Sequence, residues 1–128
     1  MQYKTNPCDV TRGDPHEYLA MYHGTDDRNA ELIRRDRVLH PDDIGSIGLS
    51  SSPKGARGYA FRKARATGGI PTILKFDVRR GDLGACIGDL RSGERTPVLM
   101  NEIGGSSPHL FLLKPLGESL HIDNINIV

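Results

Sequence analysis

The clearest structural signal in the sequence is a helix with a defined beginning and end. Ser52 is a good N-cap, Pro53 occupies the first helical position, and Gly68-Gly69 ends the helix. One side of this helix carries four residues at helical spacing: Ala56, Ala60, Lys63 and Ala64. Because alanine side chains are short, we expect this side to lie close against a neighbouring element.

Segments with strand character outnumber the helices. A first strand is predicted over Tyr18 to Tyr22, and a first helix follows from about Asp26 to Arg37. Further extended segments are predicted at residues 47–52, 70–78, 96–100, 110–113, 119–122 and 125–128. Residues 38–46 read as a loop, and the alternation slips at Asp123-Asn124, which predicts a bulge or tight turn. Because the order is not a regular βαβ alternation, the sequence predicts the α+β class.

The length predicts one domain. A chain of 128 residues is large enough to bury about two-thirds of its unfolded surface. Residues 1–17 lack apolar periodicity, so we expect a poorly ordered lead-in, or an arm laid over the domain that spans residues 18–128.

Charge is unevenly distributed along the chain. The formal net charge is only +1, so it argues neither for nucleic acid nor for membrane as a partner. Residues 51–70 nevertheless contain no acidic residue and five basic ones: Lys54, Arg57, Arg62, Lys63 and Arg65. This local basic face indicates an anionic ligand or partner, with a plain solvated surface as the alternative.

Several kinds of site and location are disfavoured by the sequence. Cys8 and Cys86 lack zinc spacing; they could pair, but free thiols in a reducing compartment are the simpler interpretation. No stretch approaches about 18 consecutive apolar residues, and we expect no signal peptide, no membrane partner and a cytoplasmic location, or delivery into a target cytoplasm. The histidines outside the first strand show no ligand spacing, so no metal site is predicted: His16, His40, His109 and His121.

The first strand ends in the candidate site Tyr22-His23-Gly24-Thr25. A histidine at a strand end followed by glycine presents an imidazole beside bare main chain, which a ligand can approach closely. Thr25 can cap the next helix. The alternative is an ordinary strand-end histidine and an ordinary turn.

Three pieces in a fixed order carry a resemblance. The first is His23-Gly24-Thr25, followed by a helix that contains Ile33; the second is Gly45-Ser46-Ile47-Gly48-Leu49-Ser50-Ser51 before a helix with Tyr59-Ala60. The third is Glu118, followed five residues later by Asp123 and then by Ile125-Asn126-Ile127. This order resembles the diphtheria-toxin-like ADP-ribosyltransferases, which include poly(ADP-ribose) polymerase catalytic cores and rifampin ADP-ribosyltransferase. The resemblance covers residues 18–128 and implies a split core of two small sheets with two main helices and NAD in the cleft.

The resemblance implies a role for each residue of the pattern. Glu118 would hydrogen-bond the nicotinamide ribose and oppose the positive charge that develops when the nicotinamide–ribose bond breaks. His23 would hold the adenosine-side ribose as a positioning residue, and the Gly24 main chain would pair with the nicotinamide carboxamide. Tyr59 would offer a flat face for nicotinamide, and Arg57, with Arg62, would meet the pyrophosphate or a nucleic-acid acceptor.

Further residues complete the implied NAD contacts. Thr25, Ser50 and Ser51 flank the two motifs, and Ser50 stands where the family usually has a tyrosine. Without that ring, stacking against nicotinamide is weaker by roughly 1 kcal/mol. Ser50 would instead serve as a small polar contact, or it would belong merely to a helix-capping run. Tyr59 could instead be core packing, Glu118 an exposed turn residue, and Glu102 the key carboxylate.

The implied activity is transfer of ADP-ribose from NAD, as co-substrate, to an acceptor with release of nicotinamide. The acceptor, whether protein, nucleic acid or small molecule, is not defined by the sequence, and a monomer is expected. One alternative is an RNA 2′-phosphotransferase-like enzyme, which also consumes NAD. Another is a non-catalytic domain that binds NAD, ADP-ribose or nucleic acid.

Overall fold

The computed structural model describes residues 14–40, 46–50, 52–83, 98–101, 108–113 and 119–128. Within these ranges the helices are α1 (Asp27–Asp36) and α2 (Pro53–Thr67), and a short 3-10 turn spans Arg80–Leu83. The strands are β1 (Tyr18–Asp26), β2 (Val38–Leu39), β3 (Ser46–Ser50), β4 (Pro71–Arg79), β5 (Val98–Asn101), β6 (Pro108–Leu113), β7 (Leu120–His121) and β8 (Asp123–Ile127). The predicted α+β class, with two main helices and two antiparallel sheets, is confirmed.

The larger sheet has six strands in the order β5-β6-β3-β1-β4-β8, and β2 pairs with β7 in a separate two-stranded sheet. Strands β1 and β4 form the longest ladder, which runs from Tyr18 opposite Arg79 to Asp26 opposite Pro71. Strands β1 and β3, by contrast, share one pair among the described residues, Tyr22 opposite Ser50. The larger sheet therefore consists of two three-stranded halves, β5-β6-β3 and β1-β4-β8, with a narrow junction between them.

The hydrophobic core lies on one face of this sheet. Alternate residues of β4 point into it, because side chains of a strand alternate between faces. Helix α1 contributes Ala30 and Ile33, and the two-stranded sheet contributes Leu39 and Leu120. The remaining members of the cluster come from the larger sheet and its flanks: Met21, Ile47, Leu49, Leu74, Phe76, Val78 and Ile122.

Helix α2 covers the opposite face. Its buried residues include the predicted alanines Ala56, Ala60 and Ala64, which confirms the close packing expected from their spacing. A Cβ added to Gly24 would overlap the carbonyl oxygen of Ala56, so the helix backbone contacts the strand directly there. Since Gly24 faces α2, its neighbours in β1 face the core side and α1, and the two helices flank the sheet.

The predicted ends of α2 are confirmed. The Ser52 hydroxyl accepts a hydrogen bond from the Gly55 amide at 3.2 Å, and Pro53 begins the helix. Gly68 caps the end with a φ of 73°, a left-handed conformation in which glycine carries no steric penalty. Lys63 is exposed, although its spacing places it with the buried alanines.

Strand β1 is longer than predicted. It continues past Tyr22 to Asp26, because β4 supplies ladder partners over its whole length. His23 and Gly24 therefore lie inside a strand and not at its end. The prediction that Thr25 caps the next helix is wrong: Asp26 is the N-cap, and its Oδ1 accepts from the Asn29 amide at 2.7 Å.

Short and irregular segments of the chain differ from or agree with the prediction individually. The two-residue strand β2 was expected to be loop. The predicted irregularity at Asp123-Asn124 is confirmed, since the β4–β8 register shifts opposite it and Asn124 has a φ of 51°. Residues 14–17 bond to the 3-10 turn through the Gly81 amide, which donates to the Pro15 carbonyl at 2.9 Å. Among the helices of the described residues, none is long and apolar enough to cross a membrane.

Candidate functional site

The larger sheet opens between β1 and β3, immediately after the Tyr22–Ser50 pair. Continuing that antiparallel register would set Gly24 opposite Gly48. The imidazole of His23 instead reaches across, and its Nδ1 lies 2.7 Å from the Gly48 carbonyl oxygen. The side chain therefore takes the acceptor that a continued ladder would use, and it stands at the edge of the opening.

His23 is held in one protonation state. Because a carbonyl oxygen can only accept, Nδ1 carries the proton and donates it to Gly48. Burial lowers the pKa of His23 below its ordinary value of 6.5 and outweighs the hydrogen bond to Gly48, which raises it. The nearby Lys63 cation lowers this pKa further. Near neutral pH the ring is therefore uncharged, and its Nε2 offers a lone pair to a hydroxyl or amide donor.

The main chain of Gly24 faces the same opening. The Ile73 carbonyl accepts from the Val128 amide at 3.0 Å, so the polar groups of Ile73 point toward β8. Ile73 and Gly24 are opposite each other and therefore form a non-hydrogen-bonded pair of the antiparallel ladder. The N–H and C=O of Gly24 consequently point away from β4, toward β3, where the described β1–β3 pairing has ended.

The absence of a side chain at Gly24 allows α2 to pack directly against β1. From the sequence, we expected this glycine to allow a ligand to approach the main chain. A Cβ at Gly24 would lie 2.7 Å from the Ala60 amide nitrogen, besides overlapping the Ala56 carbonyl. The α-carbon face is thus occupied by the helix, and the edge of the strand is what remains accessible to a ligand.

Ser50 forms the last pair with Tyr22 and is fully buried, with 0% exposure. Its hydroxyl has no hydrogen-bond partner among the described residues. A buried hydroxyl without a partner costs about 1–3 kcal/mol, so such groups are uncommon and are found where a ligand or water completes them. Ser50 is therefore an unsatisfied polar group where the two halves of the sheet join.

The predicted residues of α2 lie beside this region. Tyr59 is half-buried and directly precedes Ala60, one of the contacts of Gly24. The guanidinium carbon of Arg62 lies 5.3 Å from the centroid of the Tyr59 ring, which is a cation–π distance. Arg57 is exposed. Stacking of nicotinamide on Tyr59 and a pyrophosphate contact from Arg57 stay predictions.

Other predicted residues are placed differently or are not described. Thr25 is only 1% exposed, and its hydroxyl accepts from the Asn29 side-chain amide at 2.8 Å, so it ties β1 to α1. Glu118, Ser51 and Glu102 lie outside the described residues. Next to the first of these, the Ser119 hydroxyl lies 2.7 Å from Nδ1 of His40, beside the two-stranded sheet.

Sequence reasoning missed two contributors to the site. Gly48 was quoted within a motif, but its carbonyl is recognised as the partner of His23 only once β1 and β3 are brought together. Lys63 was assigned to the buried side of α2, and the structure places its cation near His23. Its helical spacing with the alanines was the available signal, although Lys63 itself is exposed.

The opening thus presents a neutral imidazole acceptor and the main-chain donor and acceptor of Gly24, which no described strand residue pairs, and a buried hydroxyl lies at the adjacent junction. Such a set suits a neutral polar ligand that carries hydroxyl and amide groups. In the part of the chain that the structure describes, no three His, Cys, Asp or Glu residues are grouped to hold a metal ion. No protein-family model, curated protein or solved structure matches the chain.

Proposed function

We propose that the chain is an NAD-dependent ADP-ribosyltransferase, which releases nicotinamide and transfers ADP-ribose to an acceptor. The observation that carries the proposal is the uncharged His23, whose Nδ1–H is fixed on Gly48 and whose Nε2 is left as an acceptor. A ribose hydroxyl is a natural donor to such a nitrogen. The Gly48 bond also orients the ring, so His23 positions the sugar without moving a proton.

The Gly24 main chain supplies the second element of recognition. A primary carboxamide such as that of nicotinamide has one acceptor oxygen and a donor NH₂ group. The N–H and C=O of a single strand residue point to the same side and can complement both. Ser50, with its unsatisfied hydroxyl, supplies a further polar contact at the junction.

The chemistry of the proposal needs a carboxylate. Cleavage of the nicotinamide–ribose bond develops positive charge on the ribose, as glycoside hydrolysis does. A carboxylate that meets this charge stabilises the transition state more than the ground state. We assign this role to Glu118 through the resemblance, and Ser119 beside it is anchored to His40.

The experiment is a nicotinamide-release assay combined with transfer of adenylate-labelled NAD into protein, nucleic-acid and small-molecule fractions. We expect release by the unmodified chain and its loss in Glu118→Gln. In His23→Ala we expect release to fall about 5- to 10-fold, mainly through a higher KM, because one neutral hydrogen bond to the ligand is removed. His121→Ala is the matched control, since His121 is an exposed histidine of the small sheet.

The outcomes separate the parts of the proposal. Absence of both nicotinamide release and label transfer, with every acceptor class present, contradicts the enzymatic function. Release that persists in Glu118→Gln contradicts the carboxylate assignment. Equal activity of His23→Ala and His121→Ala contradicts the positioning role of His23.

A further inference from the structure

The solvent-facing side of α2 is a continuous basic surface. Four cations and one aromatic residue lie on this side, spaced three or four residues apart except for one adjacent pair. We name these five residues the basic stripe: Lys54, Arg57, Phe61, Arg62 and Arg65. All five are exposed, and the buried alanines occupy the other side of the helix. The sheet contact is made without these side chains, so folding of the helix does not account for their character.

Within the described part of the chain, the cations of the stripe have no acidic partner. Residues 51–70 contain no acidic residue, although the whole chain has a net charge of only +1. Among the described residues, no carboxylate forms an ion pair with a cation of the stripe, whereas Arg34 and Arg35 of α1 pair with Glu31 and Asp36. The stripe is therefore a concentrated positive surface that complements a polyanion.

An aromatic ring stands among these charges. Phe61 is 55% exposed; Arg57 precedes it by one helical turn, and Arg62 follows it directly. An exposed phenylalanine costs solubility and adds nothing to the attraction of an inorganic polyanion. It does offer a stacking surface to a nucleobase, and bases are accessible for stacking in single strands but not in a duplex.

We infer that the basic stripe binds single-stranded nucleic acid, with phosphates along its four cations and a base stacked on Phe61. From Lys54 to Arg65 the helix rises about 16 Å. At a rise of roughly 3.4 Å per nucleotide, that length spans about five steps of a stacked strand, which is enough for four phosphate contacts. The inference is independent of the proposed NAD chemistry, because binding is measured without NAD.

The first test measures binding of fluorescent oligothymidylate and oligouridylate by anisotropy over a salt series. Four phosphate contacts predict that log K falls with log salt with a slope no steeper than about −2.8, because single strands contribute about −0.7 per contact. We expect Lys54→Glu/Arg65→Glu to weaken binding tenfold or more. Arg34→Glu/Arg35→Glu changes the charge equally on α1, on the other face of the sheet, and should stay within about threefold of the unmodified chain.

The second test concerns Phe61. Phe61→Ala should weaken single-strand binding about tenfold, since stacking on an aromatic ring is removed, while Phe61→Tyr should keep it. Binding of heparin, a polyanion without bases, should not respond to Phe61→Ala. Tyr18→Ala is the matched control, because Tyr18 is an aromatic residue of β1 with similar exposure, 51%.

Three results would overturn the inference. One is the absence of salt-sensitive binding to either oligonucleotide at low salt. Another is equal weakening by the α1 and α2 charge reversals, with circular dichroism showing all variants folded. The third is binding of duplex and heparin as tight as that of single strands, together with a silent Phe61→Ala, since this describes nonspecific attraction of polyanions.

Discussion

His23 has two ring nitrogens with different tasks. Nδ1 is committed to Gly48, 25 residues away in the sequence, and Nε2 faces no partner among the described residues. The local sequence predicted a presented imidazole, but it could not predict this division, which depends on how β1 and β3 meet. The same meeting buries Ser50, which the sequence placed beside the site without indicating that its hydroxyl would lack a partner.

The lowered pKa of His23 predicts a pH dependence of stability. Below about pH 6.5 the unfolded chain takes up a proton that the folded chain resists, so the free energy of unfolding should fall as the pH drops from 7 toward 5. His23→Gln should flatten this part of the curve, whereas His121→Gln should leave the His23 contribution in place. Urea unfolding at each pH measures it, and ¹⁵N NMR should find the His23 proton on Nδ1.

At the scale of elements, local rules predicted α2 well because its limits are set by its own residues. Ser52, Pro53 and Gly68 act through caps and backbone preferences that need no distant partner. Strand β1 was predicted too short, because its last residues are held as strand by β4, which lies some 50 residues further along. The two-residue strand β2 likewise exists through its pairing with β7.

The contact between β1 and α2 yields a prediction for Gly24→Ala. The new methyl group would overlap the Ala56 carbonyl, and both contacts are backbone, so neither can rotate away. We expect a loss of about 1–3 kcal/mol or more in the free energy of unfolding. Gly58→Ala, on the exposed side of the same helix, is the matched control and should be neutral or stabilising. Equal stability of the two variants would contradict direct backbone packing at Gly24.

At the scale of the molecule, two adjacent acids tie distant elements together. Asp26 accepts from Asn29 at the start of α1 and, through Oδ2, from the Thr67 hydroxyl at the end of α2, at 2.6 Å. Asp27 accepts from the Ile70 amide just before β4, at 2.9 Å. From the sequence, these acids mark only the start of the first helix, which concerns one helix. Their long-range bonds could not be predicted, because they need α2 already in place.

The hydrogen bond between Asp26 and Thr67 predicts that the free energy of unfolding falls in acid. The Thr67 hydrogen bond chiefly lowers the pKa of this carboxyl below 3.8, so its contribution is present above that pH and is lost as the pH falls through the folded-state value. Asp26→Asn should therefore lose stability at neutral pH and show a weaker decline below about pH 4. Thr67→Val, which removes the main cause, should shift the curve in the same direction. Parallel acid curves for all three proteins would contradict this tie.

The opening beside Gly24 also has a consequence for hydrogen exchange. His23 and Gly24 are neighbours in one strand, yet the His23 amide points to β4 and the Gly24 amide points to the gap. The first is shielded within the ladder and the second has no described ladder partner, so deuterium should enter the Gly24 amide far sooner. An occupant of the gap that accepts from this amide would slow exchange there first, which makes a single backbone proton an internal reporter of binding.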